Sequence, residues 1–170
     1  MSFNFEPFKS IETVVLDCDG VLTNSQLLIT EKGELLRSMS VRDGYAIKRA
    51  IMQGIRFCII TGGTSKGVEL RFKALGVQHY FDGVSNKKKV FEKWADSHQL
   101  DRSKILYMGD DLPDFEVMKL VGLSACPADA APEILNIAQY ISPAKGGEGC
   151  VRDVLEKVLK LQLKWKTFNE

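Results

Sequence analysis

The sequence predicts an α/β fold, a doubly wound, Rossmann-like parallel sheet with a β-hairpin flap. Three observations predict it. Apolar, β-branched runs alternate with helix-period segments along nearly the whole chain. The runs carry almost no polar interruption, as strands covered on both faces do. Three of them stop in clusters of aspartate, threonine and glycine, the kind of strand end at which open parallel sheets bind ligands.

Thr13-Val14-Val15-Leu16 is the first buried strand, ended by the turn Asp17-Cys18-Asp19-Gly20. Gln26 to Thr30 and Glu34 to Met39 flank Glu31-Lys32-Gly33, which predicts a hairpin with glycine at the positive-φ position. Asp43 is expected to cap a helix with Ala46, Ile47, Ala50 and Ile51 on one face, ending at Gly54. Ile55 to Ile60 is the next covered strand and runs into Thr61-Gly62-Gly63. A helix over Thr64 to Leu75 stops at Gly76, and Tyr80-Phe81 makes a short strand. A helix over Lys88 to His98 leads to the strand Ile105 to Met108, which ends at Gly109-Asp110-Asp111. Pro113 suits the start of a helix running to Val121. Strands at Leu123 to Ala125 and Gln139 to Ile141 bracket a helix over Ala131 to Ile137. The last helix spans Cys150 to Leu163, with Val151, Val154, Leu155, Val158 and Leu161 on one side.

At 170 residues the chain suits one domain over 1–170, with a hairpin insertion at about 24–40. A chain this size buries about 70% of its unfolded surface, enough for a core without staples. Lys+Arg 23 against Asp+Glu 22 leaves a net charge of +1, so no nucleic-acid or membrane partner is expected. No apolar run approaches a membrane span, and no basic stretch leads into an apolar one at the start. The four cysteines are widely spaced, without a CxxC pair, which favours reduced, buried thiols and a cytoplasmic setting. Trp94 and Trp165 read as packing residues, and His79 and His98 as surface or capping residues.

Five carboxylates gather at the predicted strand ends: Asp17, Asp19, Asp110, Asp111 and Asp114. Any one of them could cap a helix or shape a turn. As a set they repel one another unless a cation sits among them, and oxygen-only ligands point to a hard ion, Mg²⁺. Asp17 and Asp19 stand two apart on an extended segment and so face one side. One can attack a phosphorus while the other handles the leaving group's proton. The Thr61 hydroxyl, the backbone amide near Gly62 and a lysine would hold the phosphoryl oxygens. Lys87, just after the short strand and at the start of a helix, supplies that lysine; Lys88 and Lys89 are expected to be solvated.

Asp17-Cys18-Asp19-Gly20-Val21-Leu22-Thr23, Thr61-Gly62, Lys87 and Gly109-Asp110-Asp111-Leu112-Pro113-Asp114 resemble, in order and spacing, the four motifs of the haloacid dehalogenase superfamily of phosphatases. The resemblance spans residues from about 15 to 150. Within it, Ser40-Val41-Arg42-Asp43-Gly44-Tyr45 and Gly146-Gly147-Glu148-Gly149 resemble the small subfamily acting on eight- and nine-carbon keto sugar acid phosphates. The resemblance implies Asp17 as a nucleophile forming an aspartyl-phosphate, and Asp19 as general acid and then base. It implies Mg²⁺ held by Asp17, the Asp19 carbonyl and Asp110, with Asp111 and Asp114 orienting metal-bound water or Lys87. Thr61 and Lys87 would bind phosphate, and Ser40, Arg42, Asp43, Gly44 and Arg71 would contact the sugar acid. One departure stands out: relatives often carry arginine or another polar residue directly after Thr-Gly, where this chain has Gly63.

The expected substrate is therefore a phosphorylated keto sugar acid of eight carbons, a lipopolysaccharide precursor. Its nine-carbon siblings, nonulosonate or sialic acid 9-phosphates, are the alternative. A non-catalytic oligomerisation module is a rival of another class, but such modules can lose the aspartates that this chain keeps. No segment between the motifs is long enough for a cap domain, so the crevice needs another cover. A homotetramer meets that need, its hairpins pairing into a closed barrel and the segment around Gly147 reaching over an adjacent site as a lid.

Overall fold

The computed structural model describes residues 4–165. Helix α1 (Glu6–Lys9) leads into strand β1 (Thr13–Leu16), the hairpin strands β2 (Leu28–Ile29) and β3 (Leu35–Leu36), and helix α2 (Val41–Met52). Strand β4 (Arg56–Ile60), helix α3 (Lys66–Leu75), strand β5 (His79–Phe81) and helix α4 (Lys87–Ser97) follow. The chain closes with β6 (Ile105–Met108), α5 (Phe115–Met118), β7 (Leu123–Cys126), α6 (Pro132–Ile137), β8 (Tyr140–Ile141) and α7 (Cys150–Leu161). Six strands make one parallel sheet in the order β5-β4-β1-β6-β7-β8. The order reverses at β1, so the chain winds outward from it in both directions and leaves a crevice at its carboxyl end.

Successive strand residues feed opposite faces. Val14, Leu16, Phe57, Ile59, Leu106 and Met108 pack on one side against residues of α2, α3 and α7. Val15, Cys58, Ile60, Ile105 and Tyr107 pack on the other, against Phe91 and Trp94 of α4, Val117 of α5 and Ile134 of α6. Both faces are apolar, which is why the strands read as near-continuous hydrophobic runs. Trp94 is buried beside His79 and His98, and Trp165 receives the guanidinium groups of Arg49 and Arg152; both indoles pack as expected. All four cysteines are free and buried. No helix among the described residues is long and apolar enough to cross a membrane.

Several expectations change in detail. The four-residue helix α1 is too short to show a period and was not legible. The hairpin forms with Gly33 at φ +79°, but each strand pairs over only two residues. The helix after Pro113 is a 3₁₀ turn followed by the single turn of α5, ending at Met118 rather than Val121. Asp43 does not cap its own helix. Ser40 does, accepting the Asp43 amide, while the buried Asp43 carboxylate accepts the Arg152 amide at 2.7 Å and so caps the start of α7. The Gly146-Gly147 segment is no free lid: the Gly147 amide donates to the Val21 carbonyl at 3.0 Å. A Cβ on Gly146 would stand 1.9 Å from the Gly20 carbonyl oxygen, so this turn is packed against the loop that follows β1.

Candidate active site

Register brings the polar strand ends together. Leu16 pairs with Ile59 on one side and Met108 on the other, and the Asp17 amide donates to the Met108 carbonyl at 3.0 Å. Asp17 thus lies level with Ile60 and Gly109, one residue short of Thr61. After Asp17 the chain turns sharply, with the amides of Val21, Leu22 and Thr23 all donating to the Cys18 carbonyl. Gly20 makes the turn at φ +98°, and a Cβ there would fall 1.9 Å from Asp110 Oδ2. Only glycine lets the two loops approach this closely.

The resulting crevice, about 370 Å³, is lined by Asp17, Asp19, Thr61, Gly62, Gly63 and Lys87, and also by Asp110, Asp111 and Asp114. Lys87 opens α4, where the Asn86 side chain caps the helix, and is buried. Its Nζ lies 2.8 Å from Asp17 Oδ1 and 2.8 Å from Asp114 Oδ1. Burial alone lowers the lysine's pKa, but the Asp114 and Asp17 carboxylates outweigh it and hold the ammonium charged. Asp114 is completely buried and fully engaged. Its Oδ1 also accepts the Tyr107 hydroxyl at 2.6 Å, and its Oδ2 accepts the amides of Asp110 and Asp111 at 3.1 and 3.4 Å.

Carboxylate oxygens of Asp17, Asp110 and Asp114 lie within 4.8 Å of one another. Three carboxylates against one ammonium leave two negative charges uncompensated, the charge of one divalent cation. Burial, then repulsion from Asp114, raises Asp17 to about 6 despite Lys87. Burial, then the Asp17 and Asp114 charges, raises Asp110 to about 8. Asp110 Oδ1 is buried and receives no hydrogen bond among the described residues. An oxygen donor set with surplus charge and one unused buried oxygen fits a hard cation such as Mg²⁺. Asp114 has spent its acceptor capacity on protein donors, so Asp17 and Asp110 are the side chains free to hold the ion.

Asp19 lines the crevice but stands outside the Asp17–Asp110–Asp114 cluster. Its carboxylate is gripped by Arg37 of the hairpin, with Nε 2.8 Å from Oδ1 and Nη2 2.9 Å from Oδ2. The Thr23 hydroxyl donates to Oδ1 at 3.3 Å. Asp111 is exposed, and its side chain caps the following turn through the Leu112 amide at 2.8 Å. Thr61 is buried at the crevice, held by backbone hydrogen bonds to Phe81 and from Val84, and Gly62 is exposed beside it. Lys89 is solvated as expected, whereas Lys88 is half-buried and lies 3.7 Å from Glu116.

Ser40, Arg42, Asp43, Gly44 and Arg71 do not line the crevice. Ser40 and Asp43 are committed to capping α2 and α7, and Arg42 is exposed on α2. A Cβ on Gly44 would stand 2.5 Å from Arg71 Nη2, so these two residues serve the packing of α3 on α2. Two residues at the site were not legible beforehand, Arg37 and Tyr107. Tyr107 had a signal, since it lies two residues before Gly109 on a strand leading into the crevice. Arg37 had none, because the fold rather than the spacing brings it to Asp19.

Residues 81–154 match the family of haloacid dehalogenase-like hydrolases. Over 154 residues the chain is 39% identical to the 3-deoxy-D-manno-octulosonate 8-phosphate phosphatase KdsC of Escherichia coli K12, covering 91% of this chain and 82% of that one. A crystal structure of the 3-deoxy-D-manno-octulosonate 8-phosphate phosphatase from Yersinia pestis matches with TM-score 0.91 at 37% identity, over 94% of this chain and 86% of that one. One from Moraxella catarrhalis, in complex with magnesium, phosphate and KDO, matches with TM-score 0.90 at 30% identity, over 94% and 91%.

Proposed function

The chain belongs to the haloacid dehalogenase-like hydrolases, in the branch of the 3-deoxy-D-manno-octulosonate 8-phosphate phosphatases, and on that premise we propose that it hydrolyses this eight-carbon sugar acid phosphate to the free acid and phosphate. The observation that carries the reading is the Asp17–Lys87–Asp114 network with Asp110 beside it, where three parallel strands end.

Asp17 attacks phosphorus and forms an aspartyl-phosphate, while Asp19 gives a proton to the departing sugar oxygen. Asp19 then takes a proton from the water that hydrolyses the acyl phosphate. Lys87 and Thr61, with the Gly62 amide, hold the phosphoryl oxygens as charge shifts onto them. Asp114 and Tyr107 keep Lys87 in place, because a long flexible ammonium needs fixed acceptors to hold one position. The cofactor is Mg²⁺, which Asp17, Asp110 and the Asp19 carbonyl would hold, and it supplies the positive charge that a phosphoryl group and two carboxylates require.

Residues 1–170 form one phosphatase domain in this reading, with the hairpin at about 24–40 as an insertion. Leu27, Leu28, Ile29, Leu35 and Leu36 of that hairpin are all exposed, Leu28 and Ile29 at 68%. A two-stranded ribbon with open edges and an apolar surface is a poor monomer surface. Pairing of hairpins in a homotetramer covers both. The reaction belongs in the cytoplasm, supplying free sugar acid for lipopolysaccharide precursors, and the buried free thiols support a reducing setting.

Phosphate release from eight- and nine-carbon keto acid phosphates, with and without chelator, tests the reading. The expected result is a higher kcat/KM on 3-deoxy-D-manno-octulosonate 8-phosphate, lost with chelator and regained with Mg²⁺. A higher kcat/KM on a sialic acid or nonulosonate 9-phosphate moves the chain to its sibling class.

A further inference from the structure

Arg37 of the β2–β3 hairpin reaches the loop following β1 with its side chain. It lies next to β3, and only 5% of its side chain is exposed. Its Nη1 donates back to the Leu35 carbonyl at 3.0 Å, which fixes the guanidinium relative to its own strand. Nε and Nη2 form a fork on the two oxygens of Asp19. The fork needs room, and Gly63 provides it. A Cβ on Gly63 would stand 2.7 Å from Arg37 Nη2 and 3.0 Å from Asp19 Oδ2.

We propose that Arg37 is a positioning residue for proton transfer: seated in the space that Gly63 leaves, it fixes the plane of the Asp19 carboxylate at the crevice. The inference rests on the phosphatase reading, in which Asp19 moves the proton. A carboxylate has about four acceptor sites, and a bidentate arginine fixes its orientation as a single-point donor cannot. Arg37 and the Thr23 hydroxyl together secure Oδ1. Oδ2 accepts Nη2 at 2.9 Å and Nε at 3.2 Å and faces Gly63, which lines the crevice, so the same fork fixes the oxygen on the crevice side. Misplacing a proton donor by an ångström costs far more than removing a surface ion pair.

The test compares two esters. An alkyl phosphate such as the sugar acid phosphate leaves as a poor alkoxide and needs the proton, whereas p-nitrophenyl phosphate leaves as a stable phenolate and needs it little. kcat/KM reports steps up to departure of that group. For Arg37→Ala, kcat/KM on the alkyl ester is expected to fall by about tenfold more than on the aryl ester, a fraction of the ~10²–10⁴ that a positioned acid contributes. Arg37→Lys should recover part of the loss. Gly63→Ala, which displaces the flexible tip of Arg37 and leaves the residue in place, should show the same selective loss, so the test survives if Arg37→Ala folds poorly. The double variant should be no worse than Arg37→Ala. Equal losses on both esters, or strictly additive losses in the double variant, would overturn the proposal and leave Arg37 as a tether for the hairpin. Wild-type protein that hydrolyses p-nitrophenyl phosphate but not the sugar acid would sink the substrate reading alone; the comparison then runs on glycerol phosphate. Wild-type protein that hydrolyses no phosphate ester removes the phosphatase reading and this inference with it.

Discussion

Asp17, Lys87, Asp110 and Asp114 form a charge cluster that the fold holds together against its own repulsion. Asp17→Asn is nearly isosteric, and its amide neither attacks phosphorus nor binds Mg²⁺ as an anion. Turnover should disappear while the circular dichroism spectrum stays native; activity above a tenth of wild type would refute the nucleophile assignment. Asp19→Asn should be severely impaired for want of proton transfer, in the same assay. The cluster also predicts how the metal-free chain responds to pH. Asp17 and Asp110 are both raised above the ordinary carboxylate range, by burial first and by neighbouring carboxylates second. The folded chain therefore keeps protons that the unfolded chain has released. Their contribution to stability is complete below about pH 4 and is lost as pH rises toward about 8. Thermal melts of chelated protein should show Tm falling between about pH 5 and about pH 8, with Mg²⁺ raising Tm more at the upper end. A magnesium shift that is equal at both pH values would contradict this.

At the scale of elements, Asp43 shows how one carboxylate can join two helices. It lies in the first turn of α2, where Ser40 accepts its amide, and its side chain caps α7 through the Arg152 amide. These two helices form the most extensive helix–helix contact in the fold. Asp43→Ala removes a cap and leaves the first amides of α7 without their acceptor, which costs about 1–2 kcal/mol. Urea titration should show that loss with KM for the sugar acid phosphate unchanged. A raised KM at unchanged stability would return Asp43 to the sugar-binding set that the motif resemblance implied. The same element-level logic accounts for Gly146 and Gly147: both are packed where a Cβ would collide with the Gly20–Asn24 backbone.

For the whole molecule, the open crevice and the exposed hairpin pose one problem. Between Asp19 and Thr61 the chain holds only the hairpin, α2 and β4, and between Thr61 and Lys87 only α3 and β5. Neither interval supplies a cover. Sedimentation should therefore give an active species at four times the 19.0 kDa chain mass. Ile29→Lys, which places a charge on the exposed apolar surface of the hairpin, should shift it to smaller species. A fully active monomer would end the tetramer proposal.

The sequence by itself determined the sheet, the strand ends and the acidic crevice. Runs such as Val14 to Leu16 and Phe57 to Ile60 are apolar on both faces, and that pattern is local. Asp17, Thr61, Lys87 and Asp110 follow directly from it, because each stands at the end of a strand or the start of the next helix, where the topology of a parallel sheet must bring them together. Only the tertiary structure decided which carboxylates stay free. Asp114 and Asp110 are four residues apart and chemically alike, yet one is saturated by Lys87, Tyr107 and two amides while the other keeps a bare oxygen. The partners of Asp19 and Asp43 are likewise tertiary: Arg37 is 18 residues from Asp19, and Arg152 is 109 from Asp43. A capping carboxylate and a substrate-binding one look identical along the chain. Helix and strand periods are set by neighbours within a few residues, whereas a polar side chain's role is set by whichever donor the folded backbone delivers to it.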